Sequence, residues 1–593
     1  MSLVAISQAL SANALAVERS YSGRRWLLKE PDAESVRALT RNADLSPILA
    51  TLLASRGVAP KSVQATLWPT LKATMPEPFL LKDMERAVAR ARRAVEQGEE
   101  IAILGDYDVD GSCSAALLHD FFGAIGMKTR IYIPDRMTEG YGPSARALLT
   151  LKEEGARLVI TVDCGAAATQ ALDVAREAGL DVIVLDHHRA EHTLAAFAQV
   201  NPNQPDDHAG LGHLCAAGVA FLFAVALNRA LRPWYGPRGI AEPDLRAELD
   251  LVALATICDV VPLVRANRAF VRAGLAQLEK GARPGLVALC EIARVKAPYT
   301  AYHCGFVLGP RINAGGRVGR CSLGVDLLTA RDPVPARAHA ERLDLHNRER
   351  QAIEKEMLDE AGALAAQQYN RPFLFAAKEG WHPGVVGIIA GRLKERFGKP
   401  AFVAGFEGGM GRGSARSIPG ADIGAAVRAA MDAGVIESGG GHAMAAGFSL
   451  AAVQRDGFEA FLAAEFGRGL PPVALNLDID ALISPAGANE ALVREVALAG
   501  PFGAGNPEPL FALADVRVAF ADVIGKDHVR LRLEGAGGRL DAIAFRSAAE
   551  PLGEALLNSR GRAIHAAGRL RAEEWNGHIR VQLHLEDAAS AGT

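Results

Sequence analysis

Acidic side chains recur where short apolar runs end. Asp106, Asp108 and Asp110 lie in GDYDVDGS, directly after IAIL (101–104). Asp163 follows LVIT in TVDCG, Asp186, His187 and His188 close DVIVLDHH (181–188), and Asp259 stands in ATICDVVPL. Hard carboxylate oxygens with one or two imidazoles suit Mn2+ or Mg2+ better than a thiolate-bound zinc. Several carboxylates at one edge repel one another unless cations neutralise them. A pair of divalent metals ~3.5–4 Å apart would do so and would build a site for phosphoryl chemistry. Taken singly, Asp106, Asp108 and Asp110 would read as a solvated turn or a helix N-cap. The set together with Asp163, Asp186, His187 and Asp259 argues for metal.

A scaffold has to bring those ends to one place. Between 101 and 188, short apolar runs (IAIL, RIYIP, LVITVD, DVIVL) alternate with helical stretches such as CSAALLHDFFGAIG and ATQALDVAREAG. That alternation predicts an α/β fold with a parallel, doubly wound sheet. In such sheets ligands sit beyond the carboxyl ends of the strands, where the polar clusters fall.

The rest of the chain divides around this unit. Residues 1–44 show no period and read as a loosely packed arm. Residues 45–98 read as a helical entry, so the first large domain is expected over 45–330. The charged stretch 331–370 carries a narrow apolar stripe (Leu343, Leu345, Ile353, Met357, Leu358), which predicts a long, mostly solvated connecting helix. A second, Gly-rich α/β unit is expected over 371–465. Six runs of period 2 in 466–593 predict an OB-like barrel.

Composition bounds the class. The chain has 593 residues, 49% hydrophobic and 22% charged, and a net charge of −3. These values exclude bulk disorder and histone-like basicity, and the length suggests roughly three to five domains. Seven cysteines without a CxxC pair speak against zinc ribbons and disulfide scaffolds. The first twenty residues lack a basic region followed by an apolar run. The longest apolar stretch, 214–227, is too short to span a bilayer and reads as a buried helix. The expectation is a soluble, cytoplasmic enzyme without a membrane partner. Basic residues are nevertheless clustered: 302–320 holds Arg311, Arg317 and Arg320 and no acid, 408–421 holds Arg412 and Arg416 and no acid, and Arg136 follows RIYIP. Arginine binds phosphate through a planar fork. Such clusters allow a nearly neutral chain to hold nucleic acid.

GDYDVDG (105–111), PDR (134–136), VDCG (162–165), DHH (186–188) and TICDVVPL (256–263) resemble, in order and spacing, the motif set of the DHH phosphoesterases. With GPRINAGGR (309–317), SGGGH (438–442) and PFGAGNPEPLF (501–511), the chain is similar to RecJ-type single-strand-specific 5′→3′ exonucleases over roughly residues 45–585. Gly315 departs from the pattern, where alanine is expected.

The resemblance implies a DHH domain, a DHHA1-like domain and an OB-like domain. It implies two Mn2+ or Mg2+ ions held by Asp108, Asp110, Asp163, His187 and Asp259, with Asp106 a ligand or next to one and His188 near the scissile phosphate. It further implies that Arg136, Ser414 and Arg416 cap a 5′ phosphate. Arg311, and with it Asn313 and Arg317 of the same motif, would lie near the scissile region, and His442 would line the cleft. The implied activity is hydrolysis of single-stranded DNA to 5′-mononucleotides in repair and recombination. The implied partners are a helicase and a single-strand-binding protein, and the chain is expected to act as a monomer. Two rivals are a DHH phosphodiesterase for oligoribonucleotides or cyclic dinucleotides and a non-catalytic nucleic-acid scaffold. The extra barrel and the length favour a polymer substrate. Residues 501–593 carry 11 Lys+Arg against 12 Asp+Glu, so charge alone does not mark the barrel as a DNA grip. Phe520, Phe545 and Trp575 are its candidate stacking residues.

Overall fold

The structure, a computed structural model, describes residues 12–43, 45–135, 139–140, 142–467, 469, 475–575 and 578–591. They form two compact units, one from the described residues of Glu77–Asp259 and Gly274–Val473, the other from those of Met1–Pro76, Val260–Ala273 and Ala474–Thr593.

The first unit is built on five parallel strands: β1 (Ile101–Gly105), β2 (Thr129–Tyr132), β3 (Leu158–Val162), β4 (Asp181–Leu185) and β5 (Ala198–Val200), in the order β2-β1-β3-β4-β5. Helices cover both faces of such a sheet, so its inner strands are largely apolar, and every residue of β1 and β3 is buried, while the edge strand β2 (TRIY) is partly exposed. The order reverses between β1 and β3. Their carboxyl ends therefore open the crevice where doubly wound sheets bind ligands.

Helices complete that edge. Helix α1 (Val109–Ala124) begins directly after β1. Helix α2 (Ala216–Tyr235) contains the long apolar stretch. With its extension to Arg238 it is apolar and long enough to cross a membrane, yet its apolar window is 78% buried inside the protein. Helix α3 (Leu249–Cys258) ends at Asp259, and α4 (Gly309–Val318) carries GPRINAGGR.

Helix α5 (Pro333–Ala366) spans 34 residues. It is less solvated than its charge pattern predicts. Asp344, His346, Asn347 and Arg350 are buried while Leu345 is 47% exposed. The polar side has partners: Asp344 accepts from Arg311 and Arg348, and Arg350 pairs with Glu354 and Asn347.

A second sheet follows: β6 (Leu374–Glu379), α6 (Val386–Phe397), β7 (Ala401–Glu407), β8 (Met410–Arg416), β9 (Ser438–His442) and β10 (Ala445–Ala451), in the order β9-β10-β8-β7-β6. Only β6 and β7 run parallel. A cluster of phenylalanines, Phe373, Phe375, Phe402, Phe448 and Phe458, fills one face.

In the other unit, β11 (Ala481–Leu482) pairs with β12 (Phe511–Ile524). The barrel itself closes through β12, β13 (His528–Gly535), β14 (Gly538–Ala544), β15 (Ala563–Trp575) and β16 (His578–Ser590) in the order β12-β13-β14-β16-β15-β12. This is a five-stranded OB-type barrel.

Two boundaries differ from expectation. Residues 12–28 are not a loose arm. Arg25–Leu28 pairs in parallel with Asn476–Ile479, and Trp26, fully buried, donates Nε1–H to Asp587 at 2.9 Å. The helices between 47 and 74 belong to the barrel's unit rather than to the sheet's, because Leu49, Leu53, Val63 and Leu67 pack with Ala499.

Candidate active site

Each candidate side chain is delivered by a distinct local device. Asp108 is the N-cap of α1, its Oδ1 accepting from Gly111 N–H at 3.0 Å, so the helix-cap role recognised in the sequence exists alongside any ligand role. Asp110 lies in the first turn of α1. It accepts the first backbone N–H groups of α2, from Ala216 (2.7 Å) and Ala217 (2.8 Å). A helix N-terminus thus fixes this carboxylate. Asp163, just past β3, adopts φ +59°, a left-handed conformation that Asp tolerates better than most residues. Asp259 caps the carboxyl end of α3, not a strand end.

These residues converge. His187 Nε2 lies 3.4 Å from Asp163 Oδ1, 3.5 Å from Asp259 Oδ2 and 3.7 Å from Asp110 Oδ2. Potential ligand atoms of Asp106, Asp108 and Asp163, of Asp110, His187 and Asp259, and of Asp163, His187 and His188 lie within 4.8 Å of one another in each group. His187 Nε2 and Asp259 Oδ2 are buried and have no hydrogen-bond partner among the described residues. Buried polar atoms without partners are costly unless something else satisfies them. The donor chemistry, all oxygen and imidazole, fits a hard divalent cation.

The electrostatics agree. Burial, then the charges of Asp108, Asp110 and Asp106, push the Asp163 carboxyl well up. Burial first also raises Asp110, helped by Asp108, although the charge of His187 works the other way. Asp259 is pushed up to about 8 by burial and then by Asp110 and Asp108. Such a crowd of carboxyls holds protons until a cation takes their place.

Asp186 plays a different part. It is fully buried and accepts from Ala166 N–H, His187 N–H and His188 N–H, and its Oδ1 meets His188 Nδ1 at 2.8 Å. Burial opposes its charge, but the hydrogen bond and charge of His188 outweigh that and lower its pKa. Burial likewise opposes the His188 imidazolium, yet Asp186 raises it to about 9. Asp186 therefore orients His188 and favours its cationic form. Asn203 and Asn201 anchor the same turn through the carbonyls of His187 (2.6 Å) and His188 (2.8 Å).

Three side chains of GPRINAGGR were singled out in the sequence. Asn313 Oδ1 accepts from Val109 N–H at 3.0 Å, tying α4 to the Asp108–Asp110 turn. Gly316 lets Tyr107 fit, since a Cβ there would stand 1.9 Å from the ring. Arg311 donates Nε–H to Asp344 at 3.0 Å and is thus engaged in an ion pair with α5. Arg317 donates to the carbonyl of Gly384 at 3.1 Å. Gly315 is tight, with neighbours 3.2–3.5 Å from a Cβ position, so the missing methyl is a small change. In the second sheet, Arg416 Nη1 donates to Ser414 Oγ at 2.8 Å, and both face Gly387 in the first turn of α6. His442 is exposed at the end of β9. Arg136 lies outside the described residues.

One cluster left no mark in the sequence. Arg283, 7% exposed, donates to Asp120 (2.7 Å), Asp250 (3.0 Å) and Glu248 (2.8 Å). Asp120 and Asp250 lie about 14 Å along α1 and α3 from Asp110 and Asp259. Arg283 therefore clamps the far ends of the two helices whose near ends carry site carboxylates. These residues are scattered over more than a hundred positions and form no motif.

The class emerges first from the sheet and its edge. Residues 100–256 match the model of the DHH family, N-terminal domain, and 370–466 that of the DHHA1 domain. Residues 479–587 match the RecJ OB domain. The single-stranded-DNA-specific exonuclease RecJ of Escherichia coli (strain K12) is 37% identical over 569 residues, 92% of this chain and 96% of that protein. The RecJ of Bacillus subtilis (strain 168) is 35% identical over 583 residues, 96% of this chain and 71% of that protein. A crystal structure of RecJ in complex with Mn2+ from Thermus thermophilus superimposes with a TM-score of 0.80 at 30% identity, covering 95% of this chain and 79% of that one. The chain belongs to the RecJ family of single-stranded-DNA-specific exonucleases.

Proposed function

We propose that this chain is an exonuclease that hydrolyses single-stranded DNA from its 5′ end to 5′-mononucleotides, using two Mn2+ or Mg2+ ions. The observation that carries the reading is the presence at one sheet edge of two donor sets without a shared residue, Asp106–Asp108–Asp163 and Asp110–His187–Asp259. Two such sets suit two cations, and RecJ of Thermus thermophilus has been crystallised with Mn2+ and with Mg2+.

When bound, the cations supply a hydroxide near neutral pH and neutralise charge on the phosphate oxygens. The protein's own groups do the rest. Asp163 of one set and His187 of the other stand 3.4 Å apart, so the two sets adjoin. His188, its cationic form favoured by Asp186, offers a hydrogen bond and positive charge to the scissile phosphate. Asn313 holds the Asp108–Asp110 turn in register. Ser414 and Arg416 of β8, facing the first turn of α6, bind the terminal 5′ phosphate with Arg136, and His442 lines the path to it. An end pocket closed beyond one nucleotide explains 5′ polarity.

The barrel favours a long strand over a dinucleotide. Phe545 is 49% exposed with only edge contacts to His528 and His584, which suits a ring that stacks on an unpaired base, while Phe520, 37% exposed, lies under Arg530 and Arg560, which suit the strand's phosphates. The side chain of Trp575 lies outside the described residues. The cellular setting we infer is cytoplasmic DNA repair and recombination, as a monomer beside a helicase and single-strand-binding protein. The test is an assay of end-labelled single- and double-stranded DNA and RNA in EDTA, Mg2+ and Mn2+. The expected result is mononucleotide release from the 5′ end of single-stranded DNA alone, abolished by EDTA. Release from the 3′ end or activity in EDTA would overturn the reading.

A further inference from the structure

Upstream of GPRINAGGR, six residues (His303–Leu308) form a π-helical turn that runs directly into α4. Such turns are uncommon and recur at functional sites. Two aromatic residues, one at the start of this turn and one within it, point to solvent: Tyr302 is 62% exposed and Phe306 72%. Their rings stack on each other, with centroids 5.2 Å apart and planes 25° apart. Large apolar groups are normally withdrawn from water, so a paired display of this kind calls for an occupant.

The neighbours indicate what that occupant is. Gly305 and Gly309 face Ile257 and Cys258, the two residues just before Asp259; a Cβ at Gly309 would stand 2.5 Å from the Cys258 sulfur. The turn is thus seated directly on the carboxylate edge. Tyr302, Phe306, Pro310 and Arg317 recur at spacings of four, four and seven, which places them along one side of the rod. That row leads to the Arg317–Gly384 contact and on to the first turn of α6, which Ser414 and Arg416 of β8 face. From Arg317 back to Phe306 is roughly 16 Å, the reach of a few nucleotides. Residues 292–325 contain five Lys or Arg residues and no acid, and Arg294 and Lys296, just before the aromatic pair, are both exposed.

We propose that Tyr302 and Phe306 form a stacking platform for an unpaired nucleobase on the 3′ side of the scissile phosphate, with Arg294 and Lys296 beside the backbone beyond it. The proposal rests on the reading of the carboxylate edge as a nuclease site. Stacking on a ring face accepts any base and requires it to be unpaired. The platform therefore selects single strands next to the site of cleavage, independently of the barrel.

The test uses the full-length protein in Mn2+ and a 5′-phosphorylated single strand carrying 2-aminopurine at the second, third, fourth or fifth nucleotide. Stopped-flow emission reads stacking before turnover, and gel analysis of the same mixtures reads cleavage. The unaltered protein is expected to quench emission at one of these positions. Tyr302→Leu/Phe306→Leu, which keeps apolar bulk without ring faces, is expected to lose that quenching and to bind the strand about 5- to 100-fold more weakly. Tyr302→Phe/Phe306→Tyr is expected to retain both. Quenching that survives in the double-Leu protein, or no quenching at any position on a strand that is cleaved, would overturn the platform. A full-length protein that leaves the strand intact would overturn the nuclease reading, and the platform with it.

Discussion

Replacing Asp163 by asparagine separates what the carboxylate edge costs the fold from what it contributes to chemistry. Asp163 is 2% exposed, lies 3.4 Å from His187 Nε2 and shares a donor group with Asp106 and Asp108. Asparagine keeps its shape and tolerates the φ of +59°, so the change removes charge alone. In chelated protein the native carboxyls hold protons that the unfolded chain has already lost. Such groups make native stability fall as pH rises from the ordinary carboxyl range to the native pKa, which for Asp259 is about 8. Each proton contributes a slope of up to about 1.4 kcal/mol per pH unit. Asp163→Asn removes one such group. Its melting temperature in EDTA is expected to exceed that of the unaltered chain by a margin that grows by about 1–2 °C per pH unit. With Mn2+ at a hundred times its dissociation constant, the unaltered chain gains about 2.7 kcal/mol, and the variant is expected to gain much less. Several kcal/mol of transition-state stabilisation are lost with the site, so cleavage falls by about a thousandfold or more. Melting curves in EDTA and Mn2+ across this pH range, with single-turnover cleavage of 5′-labelled single strands, measure both. A variant that cleaves normally, or that Mn2+ stabilises as much as the unaltered chain, refutes the reasoning.

Three further outcomes are tied to named contacts. Asp186→Asn removes the charge that holds His188 at about 9, so the imidazolium is lost at lower pH and the alkaline limb of kcat/KM moves down by about two units; an unmoved limb argues against His188 acting as a cation. Gly316→Ala drives a methyl into Tyr107, between Asp106 and Asp108, costing about 1–3 kcal/mol in a denaturant titration together with a loss of activity, and Tyr107→Ala in the same chain is expected to restore the stability. Arg283→Met leaves Asp250 and Glu248 buried without their cation and Asp120 with Arg331 alone, and is expected to cost about 3–5 kcal/mol. Because burial pushes Glu248 up to about 7, part of that loss is recovered below neutral pH; a loss independent of pH would remove Glu248 from the network.

Much of the site was legible because its signals are local. A strand is recognised by a few apolar residues, and the residues just past the end of a parallel strand lie at the ligand-binding edge whatever the rest of the chain does. The positions of Asp106, Asp108, Asp163, His187 and His188 at one edge are therefore readable from IAIL, LVIT and DVIVL. The closed barrel was legible for the same reason, through the period-2 runs of β12 to β16. The separate duty of Asp186 was not, because a tripeptide of three ionisable residues does not say which of them turns inward to accept three backbone N–H groups.

Sequence by itself determined the α/β alternation, the acidic strand ends, the basic clusters and the motif set that resembles the RecJ type. Tertiary structure alone decided which of these groups meet. It paired Arg25–Leu28 with Asn476–Ile479 across some 450 positions, turned the polar side of α5 inward to receive Arg311, and set Arg283 among three carboxylates from two other segments. The physical reason is common to all three. Backbone pairing and buried ion pairs are satisfied by whatever partner the fold delivers, and their energy depends on distance and burial. Neither quantity is written in the order of residues along the chain.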